Sequence, residues 1–413
     1  MRYFTCLAFF FSLSLVVLVS GRLSAQVNQP AASAAALAYG QYADIPVNNF
    51  TGTGSVTVPI HTVTDGPLSL PIFLQYHTAG NVVSSPASSV GLGWNLNSGG
   101  MISRTVRDKI DDGERGYYHE GYKVDLPNGN EMSTEDSEPD LFTYSVAGQS
   151  GKFFFDAQQN VHTVPKSDLA IKPIFDGNSN FDGFRITLTD GTRYHFGQYT
   201  NVQGVSSRAH DLTNLANDDD INSRGLLSDK HRNGWFLLAI TSPDRHHEIR
   251  IDYTPTNYIV NTNLTCSAEF KYRENDGGIN QASFCPDSEE KRYLMVKSFL
   301  PNRITTSSSL VEVDFDYSER LDVRERRHNR KGYKLDEIQI TSADFCVKHE
   351  FYNGYFADDE IDEPYSKLKL FGVRRLSCDE SLAEPYWYFS YHGKSTTYGR
   401  DFAPASSNRD IDH

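Results

Sequence analysis

The chain is short of the residues that usually announce chemistry. It has five cysteines, four methionines and three tryptophans in 413 residues. No two cysteines stand at the short ligand spacing of a zinc site. No HExxH, GxSxG or GxxxxGK[ST] occurs, and no GxGxxG opens a helix after a strand. These absences exclude the sequence-readable forms of zinc peptidase, serine hydrolase, P-loop and dinucleotide chemistry. Positive charge is also scarce. Lys and Arg total 39 against 53 Asp and Glu, a net charge of −14, which disfavours nucleic acid and anionic lipid as partners. Long apolar runs are missing except for Leu7 to Val19, which is too short to span a bilayer comfortably.

That run has the layout of a secretory signal peptide. Arg2 forms a basic start and Leu23-Ser24-Ala25 a small-residue cleavage site before Gln26. Cys6 precedes the run, whereas the cysteine of a lipoprotein follows it. Cleavage leaves 413 − 25 = 388 residues, removes Arg2 and Arg22, and takes the net charge to −16. The expected product is exported, secreted or on the outer surface, with no integral membrane span after cleavage. The 23 tyrosines and 25 phenylalanines favour strands.

Residues 26–43, with an alanine tract from Ala31 to Ala38, are expected as a flexible lead-in or a short helix. From there the pattern is alternating. Ser55–Ile60 and Leu68–Ile72 read as strands in which Pro59 and Pro71 call for edges or bulges. Leu141–Val146 and Lys152–Asp156 read as a hairpin around residues 147–151. Phe184–Gly197 is a second hairpin. Phe184, Ile186 and Leu188 share a face, Asp190-Gly191 suits a tight primed turn, and Tyr194 and Phe196 return. Gly234–Tyr253 reads strand, turn at Pro243-Asp244, strand. Three further pairs follow: 293–298 with 311–317, 333–340 with 346–352, and 368–373 with 386–391. The polar stretches are expected as solvated loops: Asp111–Asp140 as an exposed insertion, and 201–232, with Asn217-Asp218-Asp219-Asp220, as a linker. The fold expected is all-β: successive antiparallel hairpins in an extended or two-part structure with few helices. Its β regions are 44–200 and 233–395, and 396–413 is a ragged tail.

The most distinctive segment is Ser89–Arg104, with Gly91, Gly93, Trp94, Gly99 and Gly100. Paired glycines mark turns or close backbone approach, and Trp94 and Leu96 alternate with Asn95 and Asn97 as in a half-buried strand. A structural corner is the plain expectation. The segment also resembles the "VGLGWNLNAGG … ITR" stretch in the N-terminal region of secreted Bacteroidetes RHS/YD-repeat proteins. A similar pattern occurs in the B subunits of insecticidal toxin complexes. The hairpin Asp190-Gly191-Thr192-Arg193-Tyr194-His195-Phe196-Gly197 resembles that family's "DGTRYYFG". Residues 235–253 resemble its "WYLTKIISPDGN" unit, with Arg245 in place of the turn glycine. The resemblance covers about 44 to 395. It implies a non-catalytic front part of a β shell associated with toxin or effector delivery. The implied partner is a run of downstream RHS repeats or a separately encoded RHS-type protein.

Four cysteines remain after cleavage, Cys266, Cys285, Cys346 and Cys378. They allow three pairings, with neighbour pairing the simplest. No metal site, cofactor or catalytic residue is expected. His246-His247 should point to opposite faces of a strand, the acidic 217–220 run does not fit an EF-hand, and the basic run Arg324–His328 reads as a loop. The alternative function is a free-standing extracellular binding module for a glycan or a protein. Trp387 or Tyr391 would then stack on sugar rings, although residues of alternating strands more often fill the core. A hydrolase with a diffuse carboxylate pair ranks last.

Overall fold

Alternation along the chain translates into strands almost without interruption. The computed structural model describes residues 47–48, 53–78, 86–113, 116–120, 136–216, 232–262, 267–272, 279–284, 292–325, 330–356, 367–384 and 387–391. The chain divides at Pro46/Val47, and all described residues belong to the second unit. The leader, the alanine tract and the tail from 392 onward lie outside them.

Strands β1 (Val47–Asn48), β2 (Thr53–Asp65), β3 (Leu68–His77) and β4 (Trp94–Asn97) form an antiparallel sheet in that order. Leu68, Leu70, Ile72 and Leu74 point inward from β3 at every second position, as the pleat requires. Pro59 sits at a register shift between β2 and β3, the bulge position its missing N–H favours.

The remaining strands of the first half are β5 (Met101–Thr105), β6 (Leu141–Val146), β7 (Gln149–Phe155), β8 (Val161–Val164), β9 (Ala170–Phe175), β10 (Phe181–Thr187), β11 (Arg193–Phe196), β12 (Gln198–Thr200), β13 (Ser206–Arg208) and β14 (His210–Ala216). Among the described residues one helix, α1 (Tyr117–Glu120), interrupts them. The second half adds β15 (Arg232–Thr241), β16 (Glu248–Thr262), β17 (Ser267–Tyr272), β18 (Ile279–Phe284), β19 (Arg292–Thr306), β20 (Val311–Glu325), β21 (Arg330–Ser342), β22 (Cys346–Tyr355), β23 (Leu368–Ser377) and β24 (Trp387–Tyr388). Sixteen of these strands build one branched sheet, with the main path β24-β23-β22-β21-β16-β19-β14-β15-β5-β6-β7-β8. Two small hairpins, β12–β13 and β17–β18, stand apart from it. The chain is all-β and its large sheets are antiparallel, built from hairpins.

The two expected β regions share this sheet, because β15 pairs with both β5 and β11. The expected linker contributes to it as well. β14 lies between β15 and β19, while 217–231 fall outside the described residues. The core is aromatic: Phe142, Phe153, Phe155, Phe181, Phe184, Phe196 and Trp235 are all fully buried. Phe142 stacks on Phe153 at 5.0 Å and Phe184 meets Trp235 edge-on at 4.9 Å, geometries that add to area burial.

Turn details depart from expectation in three places. The β6–β7 turn is only Ala147-Gly148, with φ of 48° and 74°, so β7 begins at Gln149. The primed two-residue turn is here, where both central residues are left-handed. The Asp190-Gly191 hairpin instead carries a hydrogen-bonded turn, Gly191 N to Leu188 O at 3.0 Å, and only Gly191 is left-handed (φ 88°). That is the three-residue hairpin with a bulge. Finally, residues 293–298 pair with β14 and β16, and β19 meets β20 through Arg303–Thr305. The pairs β21–β22 and β23–β24 form as expected.

Candidate functional site

The glycine–tryptophan segment turns out to be a joint between the first hairpin and the last ones. Gly91, Gly93, Gly99 and Gly100 all have positive φ, at 135°, 78°, 137° and 75°. At Gly93 a Cβ would lie 2.5 Å from the Tyr76 ring, and at Gly91 one would lie 2.9 Å from the Leu370 backbone nitrogen. Only glycine meets both the conformation and the close approach. The backbone is then stitched to distant strands. Leu92 N donates to Leu368 O (2.8 Å), Leu335 N donates to Ser89 O (2.9 Å), and Leu237 N donates to Gly100 O (3.1 Å). Arg320 Nη1 donates to the carbonyls of Ala87 and Ser88, each at 2.9 Å, and its guanidinium is held by Asp322. Asp322 in turn accepts from Leu368 N. Trp94 is buried between Tyr76 and Phe389, with ring centroids 5.2 and 4.4 Å away. Its indole N–H donates to the Tyr391 hydroxyl at 2.9 Å, and that hydroxyl donates to Leu370 O at 2.8 Å. Tyr391 thus serves the core, as expected, although it lies past the end of β24 rather than in a strand.

A second tie runs from the β2–β3 turn. Asp65 is buried and accepts from Ser307 N, Glu248 N and His247 Nδ1. Burial alone would raise its pKa, but the hydrogen bonds from Ser307, Glu248 and His247 outweigh that and hold it below the usual value. His246 and His247 lie in the turn after β15 rather than in a strand. His246 is exposed beside Asp244 while His247 faces Asp65, so the pair separates for a different reason from the one expected.

The acidic stretch 111–140 is not the wholly exposed insertion its composition suggests. Asp111, Asp112, Asp136 and Asp140 are buried at its two ends, and 121–135 lie outside the described residues. Arg104, between the Phe142 and Phe181 rings, is the pivot. It binds Asp112 at 2.7 Å and Asp140 at 2.6 Å. Asp111 and Asp140 exchange backbone-to-carboxylate hydrogen bonds, so the ends are stapled. Burial, reinforced by Asp140, pushes the Asp111 carboxyl up to about 8.

An open cleft of about 390 Å³ lies where β14, β15 and β19 of the large sheet meet β13 and the Asp176 turn. Asp182, almost fully buried, accepts from Arg208 Nε at 2.9 Å and lies 3.2 Å from Arg232 Nη1. Arg232 also reaches Asp176 at 3.0 Å and donates to Phe181 O. His210 Nε2 sits 2.7 Å from Asp182 O. Burial keeps His210 below its usual pKa despite that contact. The wall is completed by Asn178, Leu212, Lys297 and Phe299. Nothing in the sequence marked these residues. The arginine of the pair Asp176–Arg232 is 56 positions away, and no local spacing signals it.

Other expected residues are placed as follows. Asp190 Oδ1 accepts from Thr192 N at 2.8 Å, closing its turn. Cys346 and Cys378 form a disulfide with Cα atoms 5.4 Å apart, joining β22 to the end of β23. Cys266 and Cys285 lie outside the described residues, as do 217–220 and 326–329. Arg324 and Glu325 end β20, so the basic run is partly strand. Trp387 does not fill the core: it is 52% exposed and its neighbour Tyr388 is 73% exposed. Among the described residues no group of three or more His, Cys, Asp or Glu is placed to hold a metal ion. No helix there is long and apolar enough to cross a membrane.

No family model matches the chain, and no curated protein matches it in sequence. Among solved structures it is similar to the N-terminal domain of the effector protein SpvB from Salmonella typhimurium strain LT2. The identity is 11%, over 78% of this chain and 98% of that one, with a TM-score of 0.34. A likeness that distant carries no inference about function.

Proposed function

We propose that the chain is a non-catalytic structural module of an exported RHS-type protein, the front part of a β shell associated with toxin or effector delivery. One observation supports it above the rest. In the glycine–tryptophan segment the residues that carry the resemblance serve packing: Gly91 lies against Leu370, Leu92 N donates to Leu368 O and Trp94 is bonded to Tyr391, which fastens the first hairpin to residues more than 200 positions later. None of them lines the cleft. A module of this kind needs its first and last hairpins locked, because hairpins in series bury their faces only against neighbours. Its partner is a run of RHS repeats, either downstream or separately encoded.

The test is to recover the protein from the native cell envelope and medium by immunoprecipitation under mild conditions. A product much longer than 413 residues with YD repeats, or a stable complex with such a protein, is the expected result. A free monomer of about 44 kDa after leader removal, with no such partner, would refute it. A second reading, a free-standing binding module, is favoured by the exposed rings of Trp387 and Tyr388. It predicts that Trp387→Ala abolishes binding on a glycan or protein array without lowering Tm.

A further inference from the structure

Three strands bring cations to the one cleft: Arg208 from β13, Arg232 from β15 and Lys297 from β19. Two carboxylates, Asp176 and Asp182, share the lining with them, in a chain whose net charge is −14. Both carboxylates are engaged within the protein. Asp176 accepts from Asn178 N, Asn180 N and Arg232. Asp182 lies against Arg208, Arg232 and His210. The Arg208 side chain is different: its Nε is pinned to Asp182 while the side chain remains 61% exposed. A guanidinium fixed at one edge and open at the other is preorganised for an incoming anion. The lining also includes the partly exposed ring of Phe299, the edge of the buried Leu212 and the exposed turn residue Asn178. A volume of about 390 Å³ falls in the range of small-molecule sites, roughly 300–1,000 Å³. That is more room than an inorganic anion needs.

We infer that this cleft binds an acidic sugar unit, a pyranose bearing one carboxylate. The carboxylate pairs with Arg208 at the rim. The less polar ring face lies on Phe299 and Leu212, and hydroxyls reach Asn178. The cleft is separate from the glycine–tryptophan joint and does not depend on the structural role proposed above.

The test uses the full exported chain at low ionic strength, titrated by calorimetry and saturation-transfer NMR with D-glucuronate, D-glucose and sulfate. Glucuronate is expected to bind at least tenfold more tightly than glucose and more tightly than sulfate, with affinity falling as salt is added. Arg208→Ala is expected to weaken glucuronate at least tenfold and Arg208→Lys less. Arg303→Ala, an exposed arginine paired with Asp314 and Glu312, should have no effect. Asn178→Ala should weaken glucuronate and leave sulfate unchanged. Equal binding of glucose and glucuronate would overturn anion recognition. Sulfate binding as tightly as glucuronate would overturn the sugar assignment. No glucuronate binding, or binding indifferent to Arg208→Ala in a variant with unchanged Tm, would overturn the site. Should Arg208→Ala lower Tm, the Asn178→Ala result decides alone, and unchanged glucuronate affinity sinks the proposal.

Discussion

Trp94→Ala is the sharpest perturbation available. The ring is buried between Tyr76 and Phe389, and its N–H is bonded to Tyr391. Truncating a buried tryptophan costs about 3–5 kcal/mol through lost transfer energy and the cavity left behind. Unfolding entropy of about 2.1 cal/mol/K per residue, over roughly 300 folded residues, gives about 0.6 kcal/mol/K, so Tm should fall by about 5–8 °C. Trp94→Phe keeps most of the buried area and loses one hydrogen bond, about 1 kcal/mol, so its fall should be under about 2 °C. The assay is scanning calorimetry of both variants beside the parent. Limited proteolysis adds a spatial check, because Phe389 and Tyr391, just after β24, share this ring cluster with β4, and the two segments should open together in Trp94→Ala. A drop in Tm below about 2 °C for Trp94→Ala would refute the idea that the motif is a packing joint.

Three further outcomes are expected. Arg104→Ala strands Asp112 and Asp140 in the interior and should cost about 3–5 kcal/mol; a urea midpoint equal to the parent's would contradict this. Reduction of Cys346–Cys378, which closes a loop with a sequence separation of 32, should cost about 3–4 kcal/mol, read as a lower midpoint in the presence of reductant. The pH dependence has two arms. Burial, with Arg185 and then Arg193 adding to it, lowers His195 to about 4, and burial with Arg375 and His61 does the same for His349. Their folded pKa values lie below the unfolded one, so their contribution is present above about pH 6.5 and is lost as pH falls toward 4, up to about 3 kcal/mol each. Asp111 works the other way. Its folded value of about 8 lies above the unfolded one, so its contribution is present below about pH 4 and is lost as pH rises through 8. Asp111→Asn should therefore be more stable than the parent at about pH 9, and a parent-like melting curve there would contradict the assignment.

Much of the fold was legible in the sequence. Period-two alternation marks strand faces directly, so the inward set of β3 and the Phe184, Ile186, Tyr194 and Phe196 faces follow from it. Turn chemistry was less exact. Asp190-Gly191 and Ala147-Gly148 both signal a reversal, but which one is the two-residue primed turn depends on how the flanking strands pair. The glycines and Trp94 could be read as a corner from their type alone, because left-handed backbone and close approach select for glycine.

What that corner touches could not be read. Arg320, Leu368 and Tyr391 reach it from 230 or more positions away, and hydrogen bonds at such separation leave no local periodicity. The same holds for the buried ends of the 111–140 stretch. Composition makes four aspartates look solvated; the Arg104 side chain, arriving from β5, pairs with Asp112 and Asp140, and backbone N–H groups satisfy Asp111 and Asp136. The exposure of Trp387 and the convergence of Arg208, Arg232 and Lys297 on one cleft are likewise products of strand order. By itself the sequence determined the class of structure, the strand faces and the places where the chain turns, because these depend on neighbours within a few residues. The tertiary structure alone decided which strands lie side by side, and hence which charges are paired, which rings are buried and where a cleft remains open, because those depend on residues that meet only after the sheet has formed.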